Sequence, residues 1–307
     1  MRPKGYPAGT AGRRSSMVWY ILYLLMKIIV IKEDSRAEIE IFLNFLHNKE
    51  YPQHRNMIFS HFPDLKNLIE QNPENEGRTV EDFIQETRLR NKENIERSTQ
   101  YIESVVQNKG EKSLQTLVNL MNYDLEQNTE NYILIPTIFP MSPFNGNTFF
   151  YSIYKSLHGV TEYPKVLAVA MHEISHMMLF NILKKKDVSL DNYTVYFIKE
   201  LIAPILVYQD GFDGIFKKEI VGNYNVLEIY LEENGKTIKA FDYFLEKFNE
   251  NKNKGLTFDE FLNDMISICL KIKEPIKEKR LFDNKHGLQI FKNPELLRQF
   301  RTPILIG

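Results

Sequence analysis

The sequence predicts an α+β protein, mostly helical, with a small sheet ahead of one unusually apolar helix. Three observations predict it. Residues 35–130 carry apolar positions at helical spacing, separated by turn signals. At Asn131 the pattern changes to two β-branched and aromatic runs, residues 132–139 and 148–154, with Pro140, Pro143 and Asn145-Gly146-Asn147 between them. Residues 166–184 then form a helical stretch whose first eighteen positions hold a single formal charge, Glu173.

The N-terminal elements follow from local signals. Residues 1–25 are an uncertain segment, Gly/Pro/Ser/Arg-rich at first and apolar from Met17 onward. A basic start followed by an apolar run resembles a signal or anchor. However, the run over residues 17–31 is shorter than the ~20 residues of a spanning helix and contains Lys27. Its second half, residues 27–32, reads as an opening β-strand. A cytoplasmic location is therefore expected, with anchoring or secretion through residues 17–31 as the alternative, and initiation at Met17 or Met26 as a further one. Ser35 is expected to cap a first helix and Thr79 a third, which runs to Asn108 with Gly110 as its stop. Residues 26–130 thus read as a helical subdomain and residues 131–307 as a catalytic domain ending in helices.

Further along, Asp191 or Ser189 can cap a helix over residues 193–208 that contains Pro204. Residues 226–230 and 237–241 flank Asn234-Gly235 as a hairpin, unless the second half begins a helix. Thr257 and Glu260 form a capping box. Residues 249–260 have the outline of a calcium-binding loop, but the glycine comes one place late and two lysines intervene. A polar linker plus a helix cap explains them better.

Bulk composition narrows the function classes. The chain has 307 residues, 43% of them hydrophobic and 26% charged, which is ordinary for a folded protein. Thirty-nine basic residues against forty acidic ones give a net charge of −1 and no reason to expect nucleic acid as a partner. Cys269 stands alone in an apolar run, so it is expected to be a buried core residue. One cysteine forms no intrachain disulfide, which fits a reducing compartment.

The chemistry lies in His172-Glu173-Ile174-Ser175-His176. Histidines four apart on a helix are separated by about 400° of rotation and about 6 Å of rise, so both rings leave one face. Both can reach one metal ion. Glu173, rotated about 100° from His172, can stand beside that ion as a base for its bound water. The surroundings (Val169, Ala170, Met171, Ile174, Ser175, Met177, Met178) are uncharged, as a buried ligand helix requires. A catalytic zinc normally takes three protein ligands. Glu200 is the best third: it lies on the next helix, an acid in the apolar run 196–203 that metal would pair. Asp191 is the rival, but a cap explains it.

These residues resemble the gluzincin class of zinc metallopeptidases, the thermolysin-like architecture, over residues 133–209. The resemblance implies a zincin-like core. It gives His172, His176 and Glu200 as zinc ligands and Glu173 as the catalytic base, acting through a zinc-bound water on the peptide bonds of a peptide or protein substrate. It also places a substrate-pairing edge strand at residues 148–154. Two positions depart from the class. Pro204 stands where an Asp one turn after the ligand glutamate would orient a histidine, leaving Asp210 or Asp213 as substitutes. The oxyanion partner is open among Tyr193, Tyr196, Tyr208, Tyr224 and His286. The alternative function is an inactive zincin-fold binding or regulatory protein, against which the intact Glu173 argues. A helical interaction protein with a chance motif is the third reading.

Overall fold

In the computed structural model, residues 26–48, 53–124, 131–186, 188–217, 220–287 and 289–306 are described. The residues 17–25 invoked for an anchor lie outside them. The expected opening strand is present as β1 (Ile28–Val30). Its β-branched residues pair in parallel with β2 (Tyr132–Thr137), and β2 pairs in parallel with β4 (Thr148–Ser152). The short β3 (Phe144–Asn145) closes the sheet antiparallel to β4, giving the order β1-β2-β4-β3. The edge is therefore β3, with β4 inside the sheet. The expectation that residues 148–154 form the rim strand fails because residues 142–145 fold back over β4. Phe150 N–H donates to the Pro143 carbonyl (2.8 Å) and Ser152 N–H to Ser142 Oγ (3.0 Å).

The connection from β1 to β2 is a set of helices: α1 (Ser35–Leu46), α2 (Gln53–His61), α3 (Pro63–Gln71), α4 (Glu76–Arg90) and α5 (Lys92–Leu120). Because β1 and β2 share a ladder, the division at 130/131 does not separate two independent cores. One apolar cluster runs from Phe42 through Leu117 to Met178 and Phe244. Glu38 fastens α1 to the sheet. It is 1% exposed, accepts from Thr137 Oγ1 and Ile138 N–H (both 2.7 Å), and pairs with Arg88 at 2.8 Å.

Three helix boundaries differ from expectation. Asp34, not Ser35, caps α1, accepting from Ala37 N–H at 2.9 Å. Thr79 lies inside α4. The expected third helix is two helices broken at Asn91, and Gly110 sits within α5 rather than at its end. A β-carbon at Gly110 would lie 3.2 Å from Val106 Cγ1 and 3.7 Å from Ile28 Cδ1. Gly110 is thus where α5 closes on β1, and tertiary packing overrides its helix-breaking tendency.

The C-terminal third holds a second sheet. β5 (Tyr230–Glu233) and β6 (Lys236–Lys239) form the expected hairpin around Asn234-Gly235, whose φ values of 52° and 76° are those of a primed turn. A helix begins directly after β6, and residues 226–227 are helical, so each sequence alternative holds for part of the segment. β7 (Ile304–Leu305) joins β5 in parallel. Around the sheet lie α8 (Tyr224–Leu227), α9 (Ala240–Asn253), α10 (Phe258–Lys271), α11 (Lys273–His286), α12 (Gln289–Lys292) and α13 (Pro294–Phe300), following α6 (Val166–Lys185) and α7 (Asn192–Val207). The Thr257–Glu260 capping box opens α10. Residues 249–253 are the end of α9, and Gly255 (φ 73°) turns the chain into that cap, a helix–turn–helix rather than a calcium loop. Cys269 is fully buried.

Candidate metal centre

α6 is apolar nearly all round because it is packed nearly all round, against α5, α7 and β4. It is the one described helix long and apolar enough to cross a bilayer, and 67% of its most apolar window is buried inside the fold. His172 and His176 leave it one turn apart, 5% and 2% exposed, with ring centroids 4.5 Å apart.

The partner helix α7 starts where its cap dictates. Asp191 accepts from Tyr193 N–H (2.9 Å), Thr194 N–H (3.0 Å) and Thr194 Oγ1 (2.6 Å). Burial works to raise the Asp191 carboxyl, but these bonds outweigh it and hold it below its ordinary range. Asp191 is therefore occupied as a cap. Two turns on, Glu200 is 7% exposed and faces the histidines. Glu200 Oε2 lies 3.9 Å from His172 Nε2, and Oε1 lies 3.9 Å from His176 Nε2. One ligand atom from each of the three residues can be chosen so that all lie within 4.8 Å of one another. They form the one such group found among the described residues.

The donor set fits a divalent metal. The imidazole–carboxylate distances are too long for hydrogen bonds, so the three donors surround a point rather than satisfy one another. Bonds of ~2.0–2.1 Å in tetrahedral geometry would set donors about 3.3 Å apart, a contraction of about half an ångström. His172 Nδ1 meets the Val221 carbonyl at 2.9 Å. A carbonyl only accepts, so Nδ1 carries the hydrogen and Nε2 presents its lone pair. His176 Nδ1 is buried without a hydrogen-bond partner among the described residues. Burial drives both imidazoles down. For His172, Lys199 adds to this while Glu200 and the Val221 carbonyl oppose it; for His176, Lys199 and His172 add to it. Both rings are neutral near pH 7, the form in which histidine binds metal.

Glu173 is half-buried and makes no hydrogen bond or ion pair among the described residues. Burial, reinforced by the Glu200 charge and partly offset by Lys199, raises its carboxyl well above the usual range.

The group that orients His172 carries no mark in the sequence. Asp210 opens a one-turn helix and Asp213 ends it, and both are exposed. Val221 supplies the contact instead, through its main chain. Pro204 supports that loop: a β-carbon at neighbouring Gly222 would lie 3.4 Å from Pro204 Cγ, so the proline packs under the segment that presents the carbonyl. Of the five oxyanion candidates, Tyr196 lies one turn before Glu200, with Asn223 Nδ2 donating to its hydroxyl at 2.6 Å. The other four pack elsewhere: Tyr193 under Lys277, Tyr208 against Phe241, Tyr224 against Phe291 and His286 against Phe282.

Two neighbours of the centre also came without a sequence signal. Phe144, on the edge strand β3, lies 5.6 Å from the His176 ring. Beside it a cavity of about 460 Å³ opens, lined by Tyr123, Tyr132, Phe144, Gly146, Asn147, Met177, Phe180 and Asn181. Lys199 curls back so that Nζ lies 2.5 Å from Glu200 Oε1. No protein family's sequence pattern matches the chain, and comparison with curated proteins and with solved structures finds no match either.

Proposed function

We propose that the protein is a zinc-dependent metallopeptidase of gluzincin type, with a zincin-like core formed by the β1–β4 sheet, α6 and α7. The observation that carries this reading is the convergence of His172, His176 and Glu200 from two helices, with the unpaired Glu173 beside them. The two histidines and Glu200 would hold the ion, and zinc bound there would supply Lewis acidity and lower the pKa of a water towards ~7.

The chain's own residues do the rest. Glu173 takes a proton from the attacking water and returns it to the leaving amine nitrogen. Val221 fixes the orientation of His172. β3 offers an edge for an extended peptide to pair with, and main-chain pairing recognises backbone rather than sequence. The adjoining cavity falls within the ~300–1,000 Å³ usual for ligand sites, and its Phe144, Met177 and Phe180 walls suit an apolar side chain. The test is Glu173→Gln assayed on a peptide library with zinc measured in parallel. Retained zinc with turnover lowered about 10²–10⁴-fold supports the reading; full hydrolysis by the variant refutes the assigned base.

A further inference from the structure

The candidate mechanism needs a donor for the substrate oxygen that becomes negative when water adds to the carbonyl. We infer that Lys199 is that donor, an assignment that rests on the peptidase reading above. Lys199 is one residue before the candidate ligand Glu200, yet its side chain does not run out to solvent and is 17% exposed. Nζ lies 2.5 Å from Glu200 Oε1, 5.2 Å from the centre of the Tyr196 ring and 5.8 Å from that of Phe144. The ammonium is thus held at three points: by a carboxylate, by a ring on its own helix and by a ring on the edge strand.

An ammonium has three donors and no acceptor. One is used on Glu200, and no other hydrogen bond of Lys199 occurs among the described residues. Two N–H groups remain, on a side chain placed between the histidine–glutamate group and Phe144 of β3. A partly desolvated ammonium favours a neighbouring group that gains negative charge.

In the step concerned, the water oxygen forms a bond to the carbonyl carbon. The C=O π pair moves onto the carbonyl oxygen, which accepts from Lys199 N–H, and the water proton passes to Glu173. When the C–N bond breaks, the pair returns to re-form C=O and the amine nitrogen takes the proton from Glu173. Lys199 keeps its proton throughout and serves only as a preorganised cationic donor.

The test compares Lys199→Met and Lys199→Arg with wild type, each purified with zinc. Lys199→Met keeps the length of the side chain and its contact with the two rings, and thermal unfolding verifies the fold. Three readouts are taken: zinc per chain and zinc Kd, the separation of kcat from KM, and calorimetric binding of N-phosphoryl-L-phenylalaninamide, whose tetrahedral phosphoryl group mimics the charged intermediate. For Lys199→Met, kcat falls about 10²-fold with KM nearly unchanged. The probe binds at least tenfold more weakly, and zinc binds as tightly as in wild type or more so, because a neighbouring positive charge is gone. Lys199→Arg recovers part of the probe affinity. Unchanged probe affinity and kcat in zinc-loaded Lys199→Met would overturn the assignment while leaving the peptidase reading intact. Absence of zinc from wild type would overturn both.

Discussion

Replacing Glu38 with Ala is expected to be among the most damaging single changes outside the metal centre. The carboxylate is 1% exposed, and all of its partners are buried with it or nearly so. Arg88, its charge partner at 2.8 Å, has a side chain only 12% exposed. Removing one member of a buried pair costs about 3–5 kcal/mol, and the only carboxylate left to Arg88 among the described residues is Glu33, 3.7 Å away and 62% exposed, which compensates it weakly. The Ile138 N–H, 2.7 Å from Glu38 Oε1 and fully buried, would lose its acceptor for about 1–3 kcal/mol more. The Thr137 hydroxyl can rotate toward another acceptor and adds little. The sum, about 4–8 kcal/mol, is comparable with the ~5–15 kcal/mol total stability of a typical domain. Urea unfolding followed by circular dichroism measures the loss. A double-mutant cycle with Arg88→Met isolates the pair, and the combined variant should lose less than the two single losses added together. A cost below about 1 kcal/mol for Glu38→Ala would refute the reasoning, since it would mean that solvent reaches this site and screens it.

Stability should fall in acid through two groups, with one sign. Burial and the nearby Arg280 push His54 down to about 4, below its unfolded value near 6.5, so stability declines as pH falls from 6.5 through that range. Burial acts to raise the Glu228 carboxyl, but Lys239 and Arg301 outweigh it and hold it low. Its contribution is present above the unfolded carboxylate pKa and is lost as pH falls through the folded one. Thermal unfolding from pH 7 to 3 checks both, and Glu228→Gln should flatten the lower part of the curve. Burial pushes the Cys269 thiol up, and the residue is fully buried. An aromatic disulfide reagent should therefore leave it unmodified in native protein and modify one thiol per chain in urea. Thr257→Ala removes the α10 cap and should cost about 1 kcal/mol in urea unfolding.

The candidate site was legible in the sequence where its signal is local. His172, Glu173 and His176 are fixed by helical periodicity alone, and Glu200 is conspicuous as an acid in an apolar run. Of the two caps the sequence offers, Asp191 and Ser189, it is Asp191 that caps α7, and the signal is legible because capping depends only on the next three residues. The groups that complete the site carry no such mark. Val221 acts through a carbonyl that every residue possesses, and a loop brings it to His172 from 49 positions away. Lys199 is an ordinary lysine in the sequence, and only the rings of Phe144 and Tyr196 show that it turns inward. Similarly, Gly110 resembled a helix stop because its contact with Ile28 is made across the fold. The edge strand is not legible because pattern finds strands but not their order, and the short β3 has only two residues.

The central claim is a metal held by His172, His176 and Glu200, and zinc content of the purified protein tests it most directly, wild type beside Glu200→Ala. About one zinc per chain in wild type, lost or greatly weakened in the variant, is the predicted result. A wild-type protein that binds no zinc even after reconstitution would contradict the account and leave the Lys199–Glu200 pair as a structural ion pair beside two packed histidines.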